Sequence, residues 1–423
     1  MAHISLVLAR LRQAPLEQCD LSTQVDQVCR QLDHTWRERI FTPLVTLRLF
    51  FIQILHGNTA ITHMRQLCGM DFAPSSYDEA RQRLPLPLLL QLLEFLVTAA
   101  QAVCATTPSP LLGPRIFVAD GSSFSMPDTP ELREHFGLGP RQKPGVGYPT
   151  GKIMGLLDAA TGLFVRLVAL PLFTHDMRGV LSLHSYLRAG DILLGDRAFC
   201  SYVHFCLLAE AGVYGCFRLH QRRPTTRLGR VRWTKPAQAP RWMSAEQFAA
   251  LPAFLEVRIT RHVLAEPGFR TRVVFLASTL LDEDLWSDER LGALYGLRWR
   301  IETCFNHIKT SLKMNVLKCQ TLDGVRKELA MYLLVYNLVR LLMLQAAARA
   351  GVSPWRISLI DTCRFLAARM LGLEGVARLL INPSRPGRHE PRVVRRRPKA
   401  YDLMTRPRAE LKAQLRTRQQ DIP

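Results

Sequence analysis

The chain lacks the closely spaced cysteine pairs that zinc ribbons and thioredoxin-like redox centres require. Its 423 residues include ten cysteines, but none of them form a Cys-x-x-Cys pair. The sequence therefore argues against both kinds of site. Scattered cysteines in a chain of this length are typical of reduced core residues, so we expect a cytoplasmic protein.

The sequence also lacks a basic N-terminal region leading into an apolar stretch, so we expect no signal peptide. The two most apolar windows are 86–104 and 328–348, and each is interrupted by charge, Glu94 in the first and Arg340 in the second. Such interrupted runs predict buried amphipathic helices rather than membrane spans. We expect no membrane partner.

Acidic residues are few relative to basic ones. The chain has 56 Lys and Arg against 35 Asp and Glu, a formal net charge of +21. A surface this basic attracts polyanions, of which nucleic acid is the commonest in a cell, although membrane surfaces and the ribosome are alternatives. The hydrophobic fraction of 48% allows a sizeable core. The length suggests two to four domains.

Residues 1–108 carry helical signals separated by tight turns. The third of three predicted helices after residue 42 begins at Ser76, in a segment that matches a capping box, and presents Arg81 and Arg83. This arrangement favours a helix-turn-helix element that binds DNA. The alternative is a plain helical bundle whose arginines are solvated.

After residue 108 the pattern changes to short strand-like runs that alternate with helices, which predicts an α/β layer around a central sheet. A basic segment broken by prolines follows, and then a long helix from about Glu289 past Lys309. We therefore predict five regions: a helical N-terminal domain at 1–108, the first part of a core at 109–219, a β-rich insertion at 220–270, the second part of the core at 271–350, and a helical and basic C-terminal region at 351–423.

The end of the chain is strongly basic. Residues 381–423 hold twelve Lys and Arg against four Asp and Glu, and the densest run contains Arg395, Arg396 and Arg397. Like charges this close stay solvated until a polyanion neutralises them. We expect these arginines to bind DNA.

Two aspartates directly follow strand-like runs. Asp120 follows Ile116–Ala119, and Asp196 follows a run that begins at Ile192. A carboxylate at the end of a strand is well placed for chemistry, because the sheet fixes its position while neighbouring loops admit a substrate.

A third carboxylate, Glu302, lies in a predicted helix. Tyr295, Arg298, Glu302 and Lys309 recur there at spacings of three, four and seven residues, which places them on one helix face. Alone, this face is typical of a solvated, ion-paired surface. With Asp120 and Asp196, Glu302 could hold two divalent ions about 3.5–4 Å apart.

Oxygen ligands of this kind suit Mg²⁺ or Mn²⁺ better than Zn²⁺, so we expect two such ions in each active site. They would activate a water or a 3′-hydroxyl on one side of a phosphodiester and stabilise the departing oxygen on the other. Arg298 and Lys309 would then contact backbone phosphates.

Trp233 and Trp242 lie in the basic segment of the predicted insertion. Tryptophans there could stack on an unpaired base. They could equally anchor the core of the insertion, which we favour.

These motifs resemble those of a known family. Asp120-Gly121-Ser122, with Pro127-Asp128-Thr129 downstream, resembles the first aspartate block of the DDE transposases of the insertion sequence four family. Gly195-Asp196-Arg197-Ala198-Phe199 resembles the second block. The spacing Tyr295, Arg298, Glu302, Lys309 resembles the family's signature around its catalytic glutamate, and the likeness extends over nearly the whole chain.

The resemblance implies an α/β fold with a ribonuclease-H-like catalytic core and a β insertion before the glutamate. It implies a bacterial, nucleoid-associated enzyme that performs cut-and-paste transposition, acting as a homodimer on paired terminal inverted repeats and then on target DNA. By the same resemblance Tyr295, Arg298 and Lys309 would grip the DNA end. Some relatives catch a flipped base with a tryptophan in the last insertion strand, but this strand reads Arg272-Val273-Val274-Phe275-Leu276, so the hairpin step loses that support.

Two other functions remain open from the residues. One is a structure-selective nuclease on the same fold, which would use the same carboxylates. The other is a DNA-binding protein that descends from a transposase and no longer cleaves. The presence of all three carboxylates favours an active enzyme.

Overall fold

A computed structural model describes residues 7–10, 21–105, 113–139, 146–220, 223, 227–263, 273–373, 378–383 and 406–420. Arg395, Arg396 and Arg397 lie outside these residues. Among the described residues, the strands are β1 (Val7–Arg10), β2 (Ile116–Ser125), β3 (Thr150–Asp158), β4 (Phe164–Pro171), β5 (Ile192–Gly195), β6 (Tyr214–Arg218), β7 (Gly229–Thr234), β8 (Phe254–Val263), β9 (Val273–Ser278) and β10 (Arg378–Ile381).

The α-helices among these residues are Leu21–Gln31, Pro43–Leu55, Ile61–Cys68, Pro74–Arg83, Leu86–Ala105, Pro130–Phe136, Asp176–Leu181, Tyr202–Glu210, Ala245–Ala250, Asp288–Gly296, Trp299–Asn306, Leu322–Ala350, Leu359–Met370 and Arg408–Gln420. A π-helical turn spans His307–Ser311, and 3₁₀ turns span His184–Tyr186, Arg197–Phe199 and Pro354–Arg356.

One mixed sheet forms the centre of the molecule. Its eight strands lie in the order β4-β3-β2-β5-β6-β9-β8-β7. Strands β2, β5 and β6 are parallel, whereas β3, β4, β9, β8 and β7 each join their neighbours antiparallel. A separate small sheet pairs β1 with β10. The prediction of an α/β layer around a central sheet is confirmed.

The helix Leu322–Ala350, which we call the core helix, is buried over most of its length. Asn337 behaves there like a strand partner, because its side-chain amide donates to the Phe164 carbonyl at 2.8 Å and its oxygen accepts from the Phe164 N–H at 3.0 Å. Arg340 donates to the Thr161 carbonyl at 3.0 Å and stacks on Trp355. The polar residues in this apolar helix therefore satisfy backbone groups at the edge of the sheet.

Two described helices, Leu86–Cys104 and Leu322–Ala350, are long and apolar enough to cross a membrane by length and composition alone. The apolar window of the core helix is 94% buried within the protein, and that of the first helix 39%. Both helices contribute to the main hydrophobic core, the first through Leu88, Leu92 and Leu96. The prediction of two buried amphipathic helices agrees with this packing.

Strands from the predicted insertion extend the same sheet. β7 and β8 lie beyond β9, at the edge opposite β4. Trp233 of β7 is buried against Phe205, with the Arg223 guanidinium 3.5 Å above its ring centre. The favoured role of Trp233 as a core anchor is therefore confirmed, while the division of the chain into domains stays a prediction.

Two predicted helices differ in the structure. The long helix expected from Glu289 past Lys309 is wrong: it breaks at Leu297-Arg298 and changes to a π-helical turn at His307. The helix expected at Ser76 begins at Pro74, and its N-cap residue Ala73 offers no side-chain hydrogen bond. Proline at the first helical position fixes the start there, because its ring is already in helical geometry and its missing N–H has no partner to lose.

Candidate active site

The sheet register brings Asp120 and Asp196 together. β2 and β5 run parallel, with Ile116 opposite Ile192 and Val118 opposite Leu194. Asp120 and Asp196 each come two residues after this last pair, Asp120 within β2 and Asp196 directly after β5. Because parallel neighbours are about 4.8 Å apart, the two carboxylates start from adjacent positions on one side of the sheet.

Asp120 lies within β2, so the expectation that it ends a strand is wrong. β2 continues to Ser125 because it pairs with β3, where Asp120 lies opposite Gly155. β5 ends at Gly195, and Asp196 begins the 3₁₀ turn Arg197–Phe199. Beyond that point β5 no longer pairs with β2, and on this side Ser125, at the end of β2, bridges instead to Val316. The aspartates therefore lie beside an opening in the sheet.

Arg298 links the third carboxylate to the first. Its guanidinium lies 2.8 Å from a Glu302 oxygen and 3.8 Å from an Asp120 oxygen. Arg298 is only 6% exposed, whereas the Glu302 side chain is 46% exposed. A buried arginine between two carboxylates offsets their mutual repulsion and holds Glu302 towards the aspartates.

Packing of one ring sets the position of the glutamate helix, Trp299–Asn306. Phe305 lies over Gly155, where an added Cβ would come 3.0 Å from Phe305 and 2.8 Å from Phe164. The Phe164 and Phe305 ring centres are 5.2 Å apart. Glycine opposite Asp120 therefore lets the helix approach the strand that bears the first carboxylate.

The pKa of Asp120 depends on its burial and on the two neighbouring carboxylates. Burial, with smaller contributions from the nearby Glu302 and Asp196 carboxylates, raises the pKa of Asp120 to about 6, against the Gly121 N–H and Arg298, which lower it. The Gly121 N–H donates to Asp120 at 2.8 Å. Near neutral pH the site concentrates negative charge that a cation would stabilise.

Lys309 reaches β2 from the π-helical turn that follows the glutamate helix. Its ammonium donates to the Ser122 hydroxyl at 2.9 Å, and burial lowers its pKa. Tyr295 is buried, burial raises its pKa, and its hydroxyl has no hydrogen-bond partner among the described residues. Tyr295, Arg298, Glu302 and Lys309 therefore do not form the solvated surface that was the alternative, since the first two are buried.

The donor set is chemically suited to divalent ions, although no group of three or more His, Cys, Asp or Glu side chains in the described part of the chain is close enough to hold one ion together. A two-ion site does not need such a group, because each ion is completed by water and phosphate oxygens. The Glu302 and Asp196 carboxylates both raise the pKa of Asp120, so the three groups lie near enough to interact, and oxygen donors of this kind suit hard divalent ions.

Sequence reasoning missed a histidine pair behind Asp196. His204 is fully buried, and its Nδ1 donates to the carbonyl of Phe199, the last residue of the 3₁₀ turn, at 2.8 Å. The Nε2 atoms of His184 and His204 are 3.1 Å apart. Burial lowers the pKa of His204 to about 3 and that of His184 to about 4, so both rings are neutral supports of the turn. No local pattern in the sequence marks either residue.

Two arginines of the N-terminal helices, Arg81 and Arg83, were predicted to contact DNA, and they differ in exposure. Arg81 is 8% exposed, stacks on Phe50 and donates to Gln53 at 3.3 Å and to the Cys319 sulfur at 3.3 Å. Its predicted DNA contact is therefore wrong in this conformation, because its donors face the protein interior. Arg83 is exposed and pairs only loosely with Glu79, at 3.6 Å.

Two half-buried aspartates, one within β2 and one directly after β5, together with a glutamate on a helix are typical of a class of metal-dependent phosphoryl-transfer enzymes. A family profile described as "Transposase DDE domain" matches residues 111–338, which contain all three carboxylates and just over half of the chain. The chain belongs to this family, whose members cleave DNA and transfer its strands.

Among curated proteins, "Transposase InsG for insertion sequence element IS4" of Escherichia coli (strain K12) is 25% identical over 352 residues, which cover 78% of this chain and 78% of the relative. The resemblance to the insertion sequence four family is thereby confirmed. Among solved structures, a piggyBac transposase synaptic complex with hairpin DNA is 10% identical, with a TM-score of 0.44, over 86% of this chain and 82% of that one.

Proposed function

We propose that Asp120, Asp196 and Glu302 hold two Mg²⁺ or Mn²⁺ ions, with which the enzyme cleaves the terminal inverted repeats of an insertion sequence and joins them to target DNA. The observation that carries the proposal is the meeting of three elements distant in sequence. Register aligns the two aspartates, and Arg298 spans Asp120 and Glu302.

When bound, the ions would supply a nucleophile at neutral pH and stabilise the departing oxygen. The chain's own groups have separate tasks. Burial shields the Asp120 carboxylate from water, so its negative charge attracts a cation more strongly than an exposed carboxylate would. Lys309, held at Ser122 two residues after Asp120, offers an ammonium for a phosphate of the DNA end. Arg298 keeps Glu302 directed towards the aspartates.

The wider assignments follow from family membership and belong to the same proposal. They are a ribonuclease-H-like core, cut-and-paste movement, a homodimer on paired ends, and a bacterial cytoplasmic location near the nucleoid. The core is supported by the mixed sheet, in which β5 and β6 run parallel to β2 while β3 and β4 run antiparallel. Exposed Arg83 and the basic run at Arg395, Arg396 and Arg397 are proposed as further DNA contacts.

The test is cleavage and strand transfer of the element's terminal repeats in Mg²⁺. Asp120→Asn, Asp196→Asn and Glu302→Gln should each reduce cleavage at least about 100-fold, which corresponds to about 2.7 kcal/mol of barrier, and leave end binding within a few-fold. Asp284→Asn, at an exposed carboxylate, is the matched control.

Near-normal cleavage by any of the three variants would remove that residue from the site. Cleavage by the wild type without joining would favour the nuclease. Binding without cleavage would favour a relative that has lost its activity.

A further inference from the structure

A pocket in the N-terminal helical region has the composition of a nucleotide site. It has a volume of about 720 Å³ and lies between the segment 34–46 and the helix Pro74–Arg83. Volumes of 300–1,000 Å³ are typical of small-molecule sites, so it is large enough for a nucleotide. None of the three carboxylates lines it.

The rim of the pocket is positively charged. Arg37, Arg39 and Arg83 line it, against one acidic residue, Glu79. Arg37 and Arg39 are exposed and form no ion pair within the described residues, and Arg83 lies 3.6 Å from Glu79. Guanidinium groups without carboxylate partners are suited to bind phosphate through their planar donors.

Aromatic rings line the pocket and are held in place. The Trp36 indole N–H donates to Glu38 at 2.9 Å, and the ring stacks on His34 at 6.1 Å between centres. Phe41 packs edge-on against buried Phe72 at 5.2 Å. Rings that are already fixed lose little conformational freedom when a base stacks on them.

We propose that this pocket, which we call the Trp36 pocket, binds one or two unpaired nucleotides of the DNA on which the enzyme acts. The inference rests on the proposed function. Bases of a duplex are stacked on each other and cannot enter a concave pocket, so an intact duplex would reach only the arginine rim. An unpaired base can stack on Trp36 while its phosphate contacts Arg37 or Arg39.

The experiment measures binding of the full chain to two probes: a 12-nucleotide oligothymidylate and the blunt duplex of the element's terminal repeat. Trp36→Ala should weaken oligothymidylate binding about 5- to 100-fold, which is the range expected for loss of stacking with one base. Duplex binding should stay within two-fold. Trp36→Phe, which keeps a ring, should restore most of the oligothymidylate affinity.

Charge is tested with Arg39→Gln, against Arg364→Gln as a control at another exposed arginine. Only Arg39→Gln should weaken oligothymidylate binding. A second readout is tryptophan fluorescence, since a base stacked on Trp36 quenches it. The quench should be smaller in Trp36→Phe than in the wild type.

Equal losses on both probes would assign the pocket to the duplex backbone and overturn the proposal. Unchanged oligothymidylate binding in Trp36→Ala, or no binding by the wild type, would also overturn it. The proposed function is tested separately, because Mg²⁺-dependent cleavage of the blunt terminal repeat would persist in each of these cases.

Discussion

At the scale of single residues, the position of Asp120 in the candidate active site makes its ionised form unfavourable for folding. Burial and two neighbouring carboxylates favour its neutral form, while Arg298 lies 3.8 Å away, too far for a strong ion pair. Ionised Asp120 should therefore destabilise the metal-free fold. Sites that store charge for a ligand commonly lose stability in this way.

This cost predicts a stabilising substitution. The folded-state pKa of Asp120 is raised to about 6, so its contribution to stability is present at low pH and is lost as the pH rises through 6. In EDTA at pH 7.5, Asp120→Asn should raise the melting temperature by about 2–4 °C, and the gain should vanish near pH 4. Thermal unfolding across this pH range measures it.

The matched control for that measurement is Asp284→Asn, because Asp284 is exposed. It should not change the pH dependence. A melting temperature of Asp120→Asn equal to or below that of the wild type at pH 7.5 would mean that ionised Asp120 is well accommodated by its surroundings.

The role of a residue could be predicted from the sequence where the pattern that marks it lies within a few neighbouring residues. Asp120 and Asp196 follow apolar β-runs, a pattern visible within a few residues. The burial of Arg81 depends on Phe50, Gln53 and Cys319, the last of which is 238 positions away. A basic residue on a polar helix looks solvated until such distant partners are known.

At the scale of elements, residues 288–311 show that side-chain periodicity predicts which residues share a face but not whether the helix is continuous. The spacing from Tyr295 to Lys309 predicted one shared side, and Arg298 and Lys309 do both contact β2. It could not reveal the break at Leu297-Arg298 or the π-helical turn at His307–Ser311. Both changes alter backbone hydrogen bonds, which side-chain patterns do not report, and π turns are frequent at functional sites.

The contact between Phe305 and Gly155 predicts a variant that damages catalysis through packing. In Gly155→Ala the new methyl group would lie 2.8 Å from Phe164 and 3.0 Å from Phe305, so the Phe164 ring must shift and the Phe305 ring, with the glutamate helix that bears it, must give way. Overpacking of this kind costs about 1–3 kcal/mol. We expect cleavage to fall at least about 10-fold while DNA binding is retained, as measured in parallel cleavage and binding assays.

A double-mutant cycle separates this effect from general destabilisation. Phe305→Leu removes the ring that the methyl group meets, so it should restore part of the activity of Gly155→Ala. Gly113→Ala, where an added Cβ meets nothing within 4 Å, is the control. Additive losses in the double variant would show that Phe305 does not transmit the change.

At the scale of the whole molecule, sheet order was beyond local prediction. β7 and β8 extend the sheet that bears the aspartates instead of forming a separate body. β7 pairs with β8, β8 pairs with β9 on the far side of the undescribed segment 264–272, and β9 pairs in turn with β6. Such pairings are set by contacts distant in sequence, whereas the alternation of strands and helices is local and was predictable.

The charge excess of +21 is also a property of the whole molecule, and its main consequence is salt-dependent binding. Replacing Arg395, Arg396 and Arg397 together with Gln removes three cations that we propose to contact phosphates. If each contact releases counterions, the slope of log affinity against log salt should become shallower by roughly 2.7 on duplex DNA. Binding of the terminal repeat, followed from about 50 to 200 mM salt, measures this slope.

The control replaces three exposed arginines elsewhere, Arg326, Arg349 and Arg364, with Gln and so removes the same charge. If the tail arginines contact phosphates directly, their variant should change the slope much more than the control does. Equal slopes for the two variants would mean that the basic tail acts only through net charge. In that case the contacts that position the DNA end must come from elsewhere in the chain, such as Lys309, which is held at Ser122 two residues after Asp120.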